Sequence, residues 1–171
     1  MIDKAHSPTD LAYAAGVIDS DGCVTVSRNK AFNGGSYRIA VHVTMVPSEV
    51  PLWFQLTFGG SYKVTKRKEK NGKSYPPVHC WILYCRNAAD FLEQVIPYLK
   101  LKRYRAEIAV RLARLHRHKG RNLSNRGYRY GQVPLSAQER QERTHLAEII
   151  RSENLKSNPR MALVNRPHLV N

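Results

Sequence analysis

The chain is poor in acid: 13 Asp and Glu stand against 28 Lys and Arg among 171 residues, a net charge of +15. An excess of that size points to a polyanionic partner, because basic side chains release counterions from phosphates. Long apolar runs are missing as well. No stretch approaches the roughly 18 residues needed to cross a bilayer, so no membrane role is expected. The start, MIDKAHSPTDLAYAAG, lacks the charged-then-apolar layout of a secretory signal. Cysteine is scarce: Cys23, Cys80 and Cys85 are odd in number and form no CxxC pair. That excludes a disulfide framework and a zinc ribbon. The chain reads as intracellular, in cytoplasm, nucleoid or an organelle matrix, and not secreted.

The apolar pattern then sets out the elements. Residues 9–21 read as a helix, with Thr9 as N-cap, Asp10 at its positive end and Gly22 in a left-handed position after it. Residues 23–30 and 36–45 alternate as strands joined by FNGGS. Thr25, Ser27, Asn29, Arg38 and His42 fall on polar faces of this hairpin. Ser48 opens a short helix to about Thr57, which Gly59-Gly60 stops. Residues 61–68 and 78–85 make a second hairpin, with Pro76-Pro77 in the joining loop.

Asn87 and Asp90 resemble a capping pair for a helix that Pro97 breaks, and residues 101–117 form another helix. The order is αββαββα plus one more helix. Residues 100–129 then carry eleven Lys and Arg with one acid, Glu107. Residues 116–134 read as loop, and Ser136 to Glu139 is a capping box for a last helix to about Asn154. The expected organisation is a core over 1–117 and a basic C-terminal extension over 118–171. The basic segment, with Tyr128 and Tyr130 interleaved, extends a duplex footprint or contacts RNA. His116 and His118 have no third ligand at zinc spacing and read as part of a phosphate-facing patch.

The most informative stretch is Leu11 to Gly22. Ala12, Ala15, Gly16 and Asp19 lie close together by helical spacing, a small-residue face on which two backbones approach closely. Asp21 follows at the helix end. Two copies paired through this face bring two Asp21 carboxylates to one axis, where they repel unless divalent cations with oxygen ligands lie between them.

Residues 14–22, AAGVIDSDG, resemble the LAGLIDADG motif of homing endonucleases at Ala15, Gly16, Val17, Ile18, Asp19, Asp21 and Gly22. Ala14 and Ser20 depart from it. Residues 97–102, PYLKLK, resemble the family's late P-[FY]-L-x-x-K segment, and the element order over about residues 9–117 matches its αββαββα topology.

The resemblance implies an α+β fold whose four-stranded antiparallel, saddle-shaped sheet sits in the DNA major groove. It implies that Asp21 is catalytic and a metal ligand, with the Ser20 backbone carbonyl beside it, and that Lys102 reaches the active site. Ala12, Ala15, Gly16 and Asp19 would form the dimer interface. A single motif implies a homodimer and hence a long, near-palindromic double-stranded target. The activity implied is Mg²⁺-dependent phosphodiester hydrolysis in intron homing. Mn²⁺ would substitute, and Ca²⁺ would hold a complex that does not cut.

Thr25, Ser27, Asn29, Arg38, His42, Lys63, Thr65, Arg67, His79 and Trp81 are the base-reading candidates, with Arg28 and Lys66 as phosphate contacts. Met45 stands where the family often has a polar residue. This departure favours the alternative: an RNA-splicing maturase that binds intron RNA, or a DNA-binding protein that does not cut.

Overall fold

A computed structural model describes residues 6–29, 36–68, 74–115 and 136–156. The basic loop candidates, including His116, His118, Tyr128 and Tyr130, lie outside the described residues, as do the side chains of Asn29 and Arg67.

The elements run α1 (Pro8–Ser20), β1 (Gly22–Asn29), β2 (Ser36–Met45), α2 (Glu49–Phe58), β3 (Ser61–Lys68) and β4 (Ser74–Tyr84). There follow α3 (Cys85–Val95), a 3-10 turn (Ile96–Tyr98), α4 (Arg103–Arg114) and α5 (Ala137–Lys156). The fold is α+β in the expected αββαββα order, with α4 and α5 added. The strands form one antiparallel sheet in the order β1-β2-β4-β3. None of the described helices is long and apolar enough to cross a membrane.

One face of the sheet is apolar and carries the helices. Val24, Ile39, Val41, Val43, Trp81 and Leu83 pack there with Ile18, Phe54, Leu92, Leu112 and Ile150 in a single core. The Phe54 and Trp81 rings lie 4.6 Å apart, and Trp81 and Phe91 lie 5.2 Å apart. Offset and edge contacts of this kind add to the area these rings bury. The last helix belongs to the same core: Leu146, Ala147 and Ile150 of α5 are buried in it. Arg105 of α4 donates to the Glu153 carbonyl at 2.6 Å, and the Asn154 amide donates to Val24 O at 3.0 Å.

Several local expectations are corrected. Ser7, not Thr9, caps α1: its Oγ accepts from Asp10 N at 3.1 Å, with Pro8 in the first turn, where no donor is needed. Gly22 is not left-handed. It is glycine because a Cβ there would come 2.6 Å from Ile18 Cα. Asn87 and Asp90 lie inside α3 and do not cap it, since the helix begins at Cys85 with a φ of 50°. Ser136 and Glu139 do form the reciprocal capping box, at 2.9 and 3.1 Å.

Pro76 and Pro77 lie within β4, not in a loop. Thr65 pairs with Val78 and Arg67 with Tyr75, so the β3/β4 ladder is irregular where the prolines sit. The pairing of β4 with β2 ends at His79, and no β2 carbonyl loses a donor to them.

The face assigned to residues 78–85 is reversed. Trp81 pairs with Val43 and Leu83 with Val41, which turns Trp81 and His79 toward the helices. Trp81 is fully buried and donates from Nε1 to Gly59 O at 2.6 Å. It is a core residue, not a base reader. Burying the indole removes far more apolar area from water than burying Cys80 or Ile82 would, which decides the parity. His79 is half-buried, with Nδ1 2.5 Å from the Tyr62 hydroxyl.

Candidate active site and nucleic-acid interface

Helix α1 ends in a two-way clasp with the segment 100–102. The Asp19 carboxylate accepts from three successive backbone amides, those of Lys100, Leu101 and Lys102, at 2.7, 3.1 and 2.9 Å. Lys102 answers with its side chain: Nζ donates to Ile18 O at 2.7 Å, to Gly22 O at 2.8 Å and, more weakly, to Ser20 O at 3.4 Å. The Ile18 and Ser20 carbonyls lie at the negative end of a helix whose last turn has no basic residue of its own. The ammonium supplies the missing charge. Leu99, buried beside the clasp, anchors the segment in the core. Burial pushes the Lys102 pKa below the usual lysine range. Cys23, Asp19 and Asp21 oppose that shift and Arg105 adds to it. Burial likewise pushes the neighbouring Cys23 thiol up.

Asp21 is the C-cap of α1, with its amide on Val17 O at 2.9 Å. Its side chain is exposed and accepts no hydrogen bond among the described residues. It differs in this from Asp19, whose carboxylate is committed to the backbone. With the Ser20 carbonyl, Asp21 offers an all-oxygen donor set of the hard kind that suits Mg²⁺ or Ca²⁺. One chain brings one carboxylate. Among the described residues no group of three or more His, Cys, Asp or Glu could hold a metal. The donors present suit a hard divalent cation, and one chain offers two of them, the Asp21 carboxylate and the Ser20 carbonyl.

The face of α1 beside Asp21 differs in part from the expected one. Ala12, Gly16 and Ser20, spaced four apart, are exposed, and a Cβ on Gly16 would meet nothing within 4 Å. Ala15 is a correction: it is fully buried in its own chain with Ala14 and Ile18. The helix turns its 14, 15 and 18 positions onto the core, so Ala15 cannot face a partner. Asp19 sits at the boundary, half-buried.

The sheet face away from the helices is polar. Register pairs Cys23 with His42, Thr25 with Ala40 and Ser27 with Arg38, and continues through β4 to Lys63 and Thr65. This brings Thr25, Ser27, Arg38, His42, Lys63 and Thr65 onto one surface. The hydroxyls of Thr25 and Ser27 make long contacts to Ala40 O and Arg38 O, at 3.5 and 3.4 Å. Burial holds the His42 pKa below the usual histidine value, which leaves the ring neutral at physiological pH. Arg28 and Lys66 are exposed.

Acidic and basic residues are unevenly spread among the elements. The four strands contain no Asp or Glu, but carry Arg28, Arg38, Lys63, Lys66, Arg67 and Lys68. On the helical side Arg86, Arg103, Arg111 and Arg114 pair with acids. Bonds to Glu93 and Asp90 raise the Arg114 pKa further. The strand sequences alone carry this signal. Sequence reasoning missed Tyr84, whose ring lies under the Arg38 guanidinium, 3.6 Å from its carbon to the ring centroid. No sequence signal pairs two residues 46 apart on neighbouring strands.

No protein-family model matches the sequence, and no curated protein matches it closely enough to count as a relative. Solved structures do share its fold. The archaeal intron-encoded homing endonuclease I-Vdi141I, complexed with DNA, is similar over 86% of this chain and 98% of its own, at 16% identity and a TM-score of 0.52. The LAGLIDADG homing endonuclease I-GzeII, with a DNA target, is similar over 94% of this chain and 53% of its own, at 12% identity and a TM-score of 0.51. The homing endonuclease I-CvuI, with a DNA target, is similar over 62% of this chain and 66% of its own, at 22% identity and a TM-score of 0.48. The chain thus spans about half of I-GzeII and two thirds of I-CvuI.

Proposed function

We propose that this chain, which has the LAGLIDADG homing-endonuclease fold, is a site-specific DNA endonuclease that works as a homodimer. Its substrate is a long, near-palindromic duplex. It hydrolyses a phosphodiester bond in each strand with the help of divalent cations, Mg²⁺ in the first place.

The observation that carries this reading is the end of α1. An exposed, uncommitted Asp21 stands beside a Lys102 ammonium seated on the helix carbonyls, next to the open strip Ala12–Gly16–Ser20. Pairing two chains through that strip sets two Asp21 carboxylates at one axis. Their mutual repulsion becomes an asset only when cations lie between them. A bound divalent cation would neutralise phosphate charge and lower the pKa of a water molecule. Lys102 holds a positive charge within the same helix end, available to charge that builds on the phosphate. The acid-free sheet face receives the duplex, and the DNA in the I-Vdi141I and I-GzeII complexes supports that choice of ligand.

The test uses the rejoined DNA that flanks the gene. With Mg²⁺ the unmodified protein is expected to cut both strands; Asp21→Asn is expected to bind without cutting. Tight binding and no cut by the unmodified protein would sink the nuclease reading. The non-cleaving alternative, DNA-binding protein or RNA-splicing maturase, would then stand. Met45 favours that alternative, since it packs against the core and puts no polar group at the end of β2.

A further inference from the structure

We infer that Tyr84 is a positioning residue that makes Arg38 a reader of guanine, so that the target carries a guanine at a pair of symmetry-related positions. The inference rests on the DNA-binding reading above and adds to it which contact reads a base.

The other arginines show what an uncommitted guanidinium does in this fold. On the helices Arg86, Arg103, Arg111 and Arg114 each find a carboxylate, at 2.6 to 3.8 Å. Arg38 is exposed and makes no ion pair among the described residues, because no acid lies on any strand. A lone exposed arginine ordinarily samples many rotamers and loses that freedom on binding. Here the guanidinium carbon lies 3.6 Å from the centroid of the Tyr84 ring, close enough for a cation–π contact. The guanidinium N–H groups make no hydrogen bond among the described residues. An arginine held against a ring with its donors open is prepared for a planar, bidentate acceptor.

Guanine and phosphate both offer such an acceptor, and position separates them. Arg38 and Tyr84 belong to β2 and β4, the two inner strands of the sheet. Lys66 belongs to β3 and Arg28 to β1, the two edge strands. A donor on an inner strand of a sheet laid along the major groove meets base edges, and Arg to guanine O6 and N7 is the commonest specific contact there. The half-buried Tyr84 ring fixes where that donor stands.

The experiment is selection from a random-sequence duplex pool with the full chain in Ca²⁺, where cutting is suppressed, followed by binding titrations on the enriched sequence. The unmodified protein should enrich a symmetric motif with one guanine pair that depends on Arg38. Arg38→Ala should lose preference at that pair alone, by roughly ten- to hundred-fold. Tyr84→Leu should lose most of the same preference, and Tyr84→Phe, which keeps the ring, should retain it. Thermal melting checks that each variant folds.

Enrichment of a motif that Arg38→Ala leaves unchanged, with affinity falling equally on all duplexes and a shallower salt dependence, makes Arg38 a phosphate contact and overturns the inference alone. A Tyr84→Leu protein that folds and keeps the guanine preference overturns the positioning role. If the unmodified protein enriches no sequence, the site-specific reading falls and takes this inference with it.

Discussion

Asp19 and Lys102 hold one another from opposite directions: the carboxylate accepts from the Lys102 amide at 2.9 Å, and the Lys102 ammonium reaches past it to Ile18 O and Gly22 O at 2.7 and 2.8 Å. The end of α1 is therefore fixed by a segment more than eighty residues away in the chain. Asp21 is left as the one carboxylate at that helix end with no backbone to hold.

The clasp makes Asp19 structural. Asp19→Ala leaves three amides without their acceptor, and charge-assisted bonds of this kind stabilise more than neutral ones. Urea denaturation should show a loss of about 2 kcal/mol. A change within experimental error would mean that water replaces the carboxylate without cost.

Lys102 combines a fold contact with a charge at the site. Lys102→Met should slow cleavage on the order of a hundredfold while leaving DNA affinity nearly unchanged. Lys102→Arg should not restore the rate, since three carbonyls surround a compact ammonium and a planar guanidinium does not fit their arrangement. Single-turnover cleavage kinetics beside gel-shift titrations separate the two effects.

Gly16 and Gly22 should respond in opposite ways to alanine. Gly22→Ala drives a Cβ to 2.6 Å from Ile18 Cα and should destabilise by about 1–3 kcal/mol. Gly16→Ala meets nothing within 4 Å and should stabilise the isolated chain by up to about 1 kcal/mol through helix propensity. The same methyl group would hold two helices apart, so sedimentation should show weaker self-association. Unchanged association for Gly16→Ala would place the dimer contact elsewhere.

His42 predicts an acid sensitivity. Burial lowers its folded pKa below the unfolded value of 6.5, so the unfolded chain binds the proton more readily. Stability from the neutral ring is present above pH 6.5 and is lost as pH falls through the folded pKa. The melting temperature should drop more between pH 7.5 and 5, in round figures, for the unmodified protein than for His42→Gln. Equal drops would show that other groups carry the acid sensitivity.

Trp81→Phe tests the reversed strand face. Loss of the Nε1 bond to Gly59 O should cost about 1–3 kcal/mol of stability and leave the DNA sequence preference as it was. A changed preference at full stability would return Trp81 to the DNA surface.

Where local chemistry dominates, the elements could be read directly. The capping box at Ser136 and Glu139, the alternation in β1 and β2 and the glycine stop at Gly59-Gly60 appear in the structure where the residues put them. In β4 the alternation is ambiguous, because both parities of VHCWILYC are largely apolar. Only the pairing of Trp81 with Val43 settles which face is inward. The small-residue face of α1 was legible as a helical stripe, but its exact phase was not. Rotation of the helix on the core puts Ala15 inside and Ser20 outside.

Element order, the excess of basic charge and the residue types at the site are legible in the linear chain, because periodicity, composition and short motifs are local properties. The low content of acid from which the charge excess follows is one such property. Packing set what two of those acids do: Asp19 is locked to residues 100–102, and Asp21 accepts no hydrogen bond among the described residues. It also decided that Lys102 lies on the carbonyls of α1 and Arg38 on the ring of Tyr84. Those relationships join residues far apart in the chain, and they exist only after the core has brought helix and strand together.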